Sequence, residues 1–363
     1  MTGQRPKSML MVARGLDPVG TGRQIELAAE AFRTAGWDVA VAVGTAGGAV
    51  PGRLAARGFA VHRIGTRPVF DAATAARLAV LCRKLEPAVV HAWGRSAAAV
   101  AASIRPFMGQ ARAVAHLATG PRSRRLGWAL ARLDRVMVVS AGVSGCCEAV
   151  GVRSCRIDIL TPGIQAAEPA GLSREELAAR LGLRADTQWT LCVAPLSYAT
   201  RLERLVWAID QLAVVHRGVE HVLVGQGPLA ARVQRRARVQ QLAERLRVVP
   251  FCDVLPDLLR ASQLVWQSGD VAYGGAILDA MACGVPVVAV ASDAARQLIV
   301  DQVTGRIVPA DPESEFPRRA FNVLEDADLA ARYGDAARQR AAEQFAAAPA
   351  LARHVDAVER LGS

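Results

Sequence analysis

Short apolar runs alternate along this chain with longer stretches whose apolar residues recur every three or four positions. In the first half the runs are SMLMVA (8–13), DVAVAV (38–43), AVHRI (60–64), AVVHAW (88–93), AVAHLA (113–118) and RVMVVS (135–140). They are short and nearly continuous in hydrophobicity, as strands buried on both faces are. Between them lie helical stretches such as QIELAAEAFRTAG (24–36), closed by a helix-stopping glycine. Strands and helices in this alternation predict βαβ units around a parallel sheet.

The rhythm breaks in ILTPGIQAAEPAGLS (159–173), whose prolines and glycines read as a linker. It resumes with TLCVAP (190–195), HVLVG (221–225), RVVPF (247–251), QLVWQ (263–267) and PVVAV (286–290). The two halves share this architecture without repeating each other's sequence. The expected fold class is α/β, with two doubly wound Rossmann-like domains facing a cleft. Their expected bounds are residues 1–165 and 166–335, followed by a helical tail, 336–363, that crosses back to the first domain. Open parallel sheets bind ligands beyond the carboxyl ends of their strands, where the strand order reverses. Two such sheets suit a reaction that joins two substrates.

Composition narrows the class. With 52% hydrophobic and 21% charged residues, the 363-residue chain is globular and long enough for two cores. Charge is lopsided: residues 1–165 carry 22 Lys and Arg against 9 Asp and Glu, while the remainder is nearly balanced. That asymmetry predicts an anionic partner for the first half, such as a membrane surface. No aromatic residues are interleaved with the basic ones as base-stacking platforms, so nucleic acid is not the expected partner. The seven cysteines form no C-x-x-C pair, and zinc-site spacing is absent. No secretory leader and no run long enough to span a membrane are visible, so the expected location is the cytoplasm, peripheral at the inner face of the membrane.

Several positions can carry chemistry. Gly20 and Gly22 follow the first strand and precede a helix, and Gly225 and Gly227 do the same in the second half. Such a pair either lets backbone amides reach a phosphate or makes an ordinary strand-to-helix turn. His91 and His116 fall at predicted strand ends, where a side chain either meets substrate or finds a backbone partner. Arg122, Arg124 and Arg125 sit in a predicted loop near Trp128, a set that suits anionic head groups or simply water. In YGGAILDAMACGVPVVAV (273–290), Gly274 and Gly275 open a short helix. Asp279, one turn in, can accept two hydrogen bonds from a vicinal diol such as a ribose.

Taken together, RGLDPVGTGRQIELA (14–28), VVHAWG (89–94), VVSAGVSGCCEAVGV (138–152), ILTPGI (159–164), HVLVGQGPLAARV (221–233), GGAILDAMACGVPVVA (274–289) and VTGRIVP (303–309) resemble the retaining glycosyltransferases of family 4, which have the GT-B fold. The resemblance spans almost the whole chain. It implies a nucleoside-diphosphate sugar held mainly by the second domain, an acceptor bound by the first, and no required metal or other cofactor. The family's two acidic donor contacts fall on Val271 and Asp279, with Asp270 beside the first. Its phosphate-clamping Arg and Lys fall on Pro195 and Thr200, with Arg201 next in line. A usual Glu is Gln297, His116 takes the place of a histidine near the reacting sugar, and Trp93 stands where a second histidine is common. The expected activity is hexosyl transfer to a lipid-linked or cell-envelope glycan, and the alternative is a catalytically inactive binding or scaffold relative.

Overall fold

The computed structural model describes residues 7–45, 48–65, 71–166 and 168–361. The chain divides into two compact units, Met1–Gly163 with Ala347–Ser363, and Ile164–Ala346.

In the first unit the apolar runs form β1 (Ser8–Ala13), β2 (Asp38–Val43), β3 (Ala60–Arg63), β4 (Val89–Trp93), β5 (Arg112–Leu117), β6 (Arg135–Val138) and β7 (Ile157–Ile159). They make one seven-stranded sheet in the order β3-β2-β1-β4-β5-β6-β7, parallel throughout. The order reverses between β1 and β4, because the chain leaves β1 first toward β2 and later returns to its other side. The central strands are apolar on both faces since helices cover both: Leu10, Met11, Val12, Val90, Ala92 and Val114 are all fully buried. Strand β7 was not foreseen, because its three residues, Ile-Asp-Ile, give too short an apolar run to stand out.

The second unit repeats the plan with β8 (Gln188–Val193), β9 (Val219–Val224), β10 (Leu246–Val249), β11 (Leu264–Gln267), β12 (Val287–Val290) and β13 (Arg306–Val308). The order is β10-β9-β8-β11-β12-β13, reversing between β8 and β11. Trp266, Phe316, Leu223 and Leu264 lie in its core. Strand β13 went unseen for the same reason as β7. The linker is tied into this unit at its far end: Asp257 accepts from the backbone N–H groups of Ala170, Gly171 and Leu172 at 2.8, 2.9 and 3.1 Å.

At the C-terminus the helix Ala327–Gln344 belongs to the second unit, and the chain changes unit at Ala347. The closing helix, Ala347–Glu359, packs in the first unit beside the helix Thr21–Thr34. The recurrence of Ala350, His354, Ala357 and Val358 supplies its buried face. Lys7 pairs with Glu359 at 2.6 Å, and Arg353 donates to the Thr161 hydroxyl at 3.0 Å.

Candidate functional site

The loops that leave β8, β9 and β11 converge at the carboxyl edge of the second sheet, on either side of its reversal point. Their contact is backbone to backbone. A Cβ on Gly225 would lie 2.0 Å from the Ala194 carbonyl oxygen, and one on Gly227 would lie 2.4 Å from that of Leu196. A Cβ on Gly269 would meet the Ala199 carbonyl oxygen at 2.6 Å. Only glycine fits at these crossings. The Asp270 amide donates to the Ala199 carbonyl at 3.1 Å, and the Ser268 hydroxyl to that of Thr200 at 2.7 Å.

Each of these three loops leads into a helix of Leu202–Val215, Ala230–Val239 or Gly275–Cys283, and none of the three is capped by a side chain. A helix start carries orphan N–H donors and a partial positive charge. Three uncapped starts beside one reversal point make an electropositive edge suited to an anion with several oxygens. Arg201, exposed at the cap of the first of these helices, adds a full charge. Its φ of +50° and the φ of +61° at Tyr273 are left-handed values in non-glycine residues, both at this edge. Strain of this kind gathers at functional loops. Neither was legible in the sequence, because nothing in an Arg or Tyr letter signals positive φ.

Gly274 also has positive φ, at +56°, and a Cβ there would strike the Leu298 side chain at 2.3 Å. It lets the chain turn sharply into the helix Gly275–Cys283, whose second turn begins with the nearly buried Asp279. Asp270 is half-buried on the loop before it. Arg201, Gly225, Gly227, Asp270, Gly274, Gly275 and Asp279 therefore belong to one sheet edge of one unit. The departures from the family pattern belong there too. Val271 is 4% exposed and packs in the apolar core, so it offers the edge no polar atom. Thr200 is buried, and its hydroxyl donates to the carbonyls of Pro195 and Ser197 at 2.9 and 2.7 Å, which knots the loop.

The candidates from the first half fare differently. Gly20 and Gly22 do not present free amides to a phosphate. The Asp17 carboxylate already accepts from the N–H groups of Gly20 and Thr21, at 2.5 and 3.1 Å. The Gly22 amide donates to the Asp17 carbonyl at 3.0 Å. A Cβ on Gly22 would lie 2.3 Å from that same carbonyl oxygen, so close packing explains this glycine. Burial raises the Asp17 pKa, against the opposing pull of these backbone donors. The Asp17 carboxyl lies three residues before the cap position Gly20 and takes these two amides from the loop side.

His91 and His116 are not open strand-end residues either. His91 is fully buried and His116 is 3% exposed. Trp93 and His116 are register partners on β4 and β5, and His91 lies two residues before Trp93, so all three share one face of the sheet. His354 of the closing helix covers that face, with its ring 5.0 Å from both histidine rings. Burial, with the other histidines adding to it, holds His91 and His116 well below the ordinary imidazole pKa, and burial pushes His354 down to about 4. Sequence reading placed the tail helix but gave His354 no role.

Arg122, Arg124 and Arg125 are exposed as expected, though only Arg122 lies in a loop; Arg124 and Arg125 open the helix Arg124–Leu130, capped by the Ser123 hydroxyl. Trp128 on that helix is 65% exposed, with the Arg132 guanidinium 4.7 Å from its ring. Among the described residues no helix is long and apolar enough to cross a membrane.

Known proteins agree with this architecture. Residues 18–168 match the family described as Glycosyltransferase Family 4, and residues 173–340 match Glycosyl transferases group 1. A D-inositol 3-phosphate glycosyltransferase of Mycobacteroides abscessus is 30% identical over 163 residues, covering 42% of this chain and 36% of the relative. A phosphatidyl-myo-inositol mannosyltransferase of Mycolicibacterium smegmatis is 31% identical over 145 residues, covering 38% and 36%. The matched stretches thus span little more than a third of these curated relatives. Among solved structures, Anabaena HepE in complex with UDP and glucose superposes with a TM-score of 0.83 at 19% identity, over 98% of this chain and 100% of that one. Two parallel-sheet units, two family matches that together span most of the chain, and full-length structural likeness lead to one assignment: the chain belongs to glycosyltransferase family 4 and has the GT-B fold.

Proposed function

We propose that this chain transfers a hexose-type sugar, with retention of configuration and without a required metal, from a nucleoside diphosphate to a lipid-linked or cell-envelope glycan. The observation that carries the reading is the set of three uncapped helix starts at the reversal point of the second sheet. Breaking the bond from the anomeric carbon to oxygen releases a diphosphate. Amides and dipoles fixed in advance at that edge, with Arg201, stabilise the charge that develops on it. Asp279 accepts from the ribose hydroxyls, and Asp270 from the sugar in place of the missing carboxylate at Val271. The acceptor hydroxyl's proton passes to the departing phosphate as the new glycosidic bond forms. HepE holds UDP and glucose in the solved complex, which supports a nucleotide-sugar donor.

The acceptor class rests on the relatives' names and on charge. One relative is named for an inositol phosphate and one for an inositol phospholipid. The exposed Arg122, Arg124, Arg125 and Trp128 form a basic, aromatic surface of the kind that sits at an anionic bilayer, which supports a peripheral place at the inner membrane face. The test is sugar transfer from a panel of nucleoside-diphosphate sugars to lipid extract, read by mass spectrometry. Product formation that Asp279→Ala lowers by roughly a hundredfold or more is the expected result. A second reading, a binding protein without turnover, is favoured by one observation: Val271 and Thr200 remove a carboxylate and a cation from the edge. Nucleotide binding with no product from any donor would establish it.

A further inference from the structure

We propose that His91, His116 and His354 form a transition-metal site, with Zn(II) or a similar late first-row ion bound by three imidazoles, that fastens the closing helix to the first sheet. All three side chains lie within one unit, and their candidate ligand nitrogens all fall within 4.8 Å of one another. The rings of His91 and His116 are nearly parallel, 8° apart, with centroids separated by 5.9 Å. His354 stands edge-on to both, at 86° and 87°, with both centroid distances at 5.0 Å. An ion held tetrahedrally at about 2.0–2.1 Å from each nitrogen sets imidazole centroids about 5 Å apart, so the spacing already approximates coordination.

The surroundings make the cluster costly without a ligand. Neither ring nitrogen of His91, nor Nε2 of His354, has a hydrogen-bond partner among the described residues, and both side chains are at least nine-tenths buried. Their neighbours are aromatic: Trp93 lies 4.8 Å from His91 and 5.6 Å from His354, and Phe32 lies 5.4 Å from His354. Burying an unsatisfied imidazole costs on the scale of a lost hydrogen bond. An apolar residue would fill each position more cheaply, and two neighbours of His354 on the buried face of its helix are alanines. An ion uses all three lone pairs at once, and water or hydroxide completes its coordination. His91 and His116 stand out along the chain but His354 does not join them there, because the ligands come from two strands and a helix more than two hundred residues away.

The experiment uses the full chain without a histidine tag, stripped with chelator and titrated with Co(II) and with Zn(II). Expected are one ion per chain, the visible absorption of four-coordinate Co(II), and a melting temperature that Zn(II) raises and Mg(II) does not. His354→Phe and His91→Phe replace a ligand by a ring of similar size. They should lose the cobalt spectrum and the zinc shift while melting, in chelator, at or above the stripped wild type. A wild type with no cobalt spectrum and identical melting in Zn(II) and chelator overturns the proposal, as does metal uptake that persists in both variants. Because the donor edge lies in the other unit, either result leaves the proposed transfer reaction standing.

Discussion

Each unit carries a Gly-x-Gly pair between a strand and a helix, and the structure uses it in two ways. VGTGRQ follows β1, at the reversal point of the first sheet, and VGQGPL follows β9, one strand away from the reversal between β8 and β11. In the first unit the Asp17 carboxyl accepts from the Gly20 and Thr21 amides, although the helix Thr21–Thr34 has no side-chain cap at its own cap position. In the second, three helix starts are left without side-chain caps and an arginine stands at one of them. Close packing does not discriminate, since Gly22, Gly225 and Gly227 are all required where one backbone crosses another. What differs between the two turns is whether a local carboxylate has taken the amides. At these two loops the difference is local: Asp17 occupies the amides of one, and no such carboxylate closes the other.

The largest effect that would sharpen this contrast is steric. Gly225→Ala drives a methyl group into the Ala194 carbonyl, and a cost of about 3 kcal/mol in stability is expected, with loss of nucleotide binding. Gly22→Ala meets a comparable clash with Asp17 in the first unit. Where it still folds, it should bind nucleotide as the wild type does. Denaturant melts combined with calorimetry measure both effects, and equal losses of nucleotide binding in the two variants would dissolve the comparison.

Next comes acid sensitivity in the second unit. His221 is buried, its Nδ1 sits 2.6 Å from the Thr190 hydroxyl, and burial with nearby Arg245 pushes its pKa down to about 3. The folded state therefore holds it neutral while the unfolded chain protonates it below about pH 6.5. Its contribution to stability is undiminished above pH 6.5 and is lost as pH falls toward 3, with a slope of at most about 1.4 kcal/mol per pH unit. Urea melts between pH 7 and 5 should show this loss, and His221→Gln should flatten the curve by roughly one group's share.

Smaller still is the loop carboxyl. Asp17→Ala leaves the Gly20 and Thr21 amides without their acceptor and should cost about 1 kcal/mol of stability with nucleotide affinity unchanged, as thermal melts and titration would report. The smallest change in stability, within about 0.5 kcal/mol, is expected for Arg122→Ser with Arg124→Ser and Arg125→Ser, all exposed. The same triple variant should nonetheless release the chain from anionic liposomes, and wild-type binding that ignores salt would argue against a membrane role for this surface.

What the sequence revealed follows from what each residue has to satisfy. Long apolar runs such as SMLMVA and DVAVAV have few alternatives to a buried strand, so the sheets were legible nearly residue by residue. Strands β7 and β13 were not, because three residues at a sheet edge need little apolar character. The family pattern located the second unit's edge and its departures at Val271, Pro195 and Thr200. The first unit misled at Gly20, Gly22, His91 and His116, where the deciding partner lay elsewhere. Asp17 reaches the amides from three residues before the cap position Gly20, and His354 was brought in only by the crossing of the closing helix.

The most direct test of the central claim is calorimetric titration of the wild type, Arg201→Ala and Asp17→Ala with UDP, GDP, ADP and CDP. Saturable binding of one nucleotide, weakened roughly tenfold or more by Arg201→Ala and untouched by Asp17→Ala, is the predicted result. Failure of the wild type to bind any of the four, or equal weakening by both substitutions, would contradict a donor site built on the uncapped helix starts of the second unit.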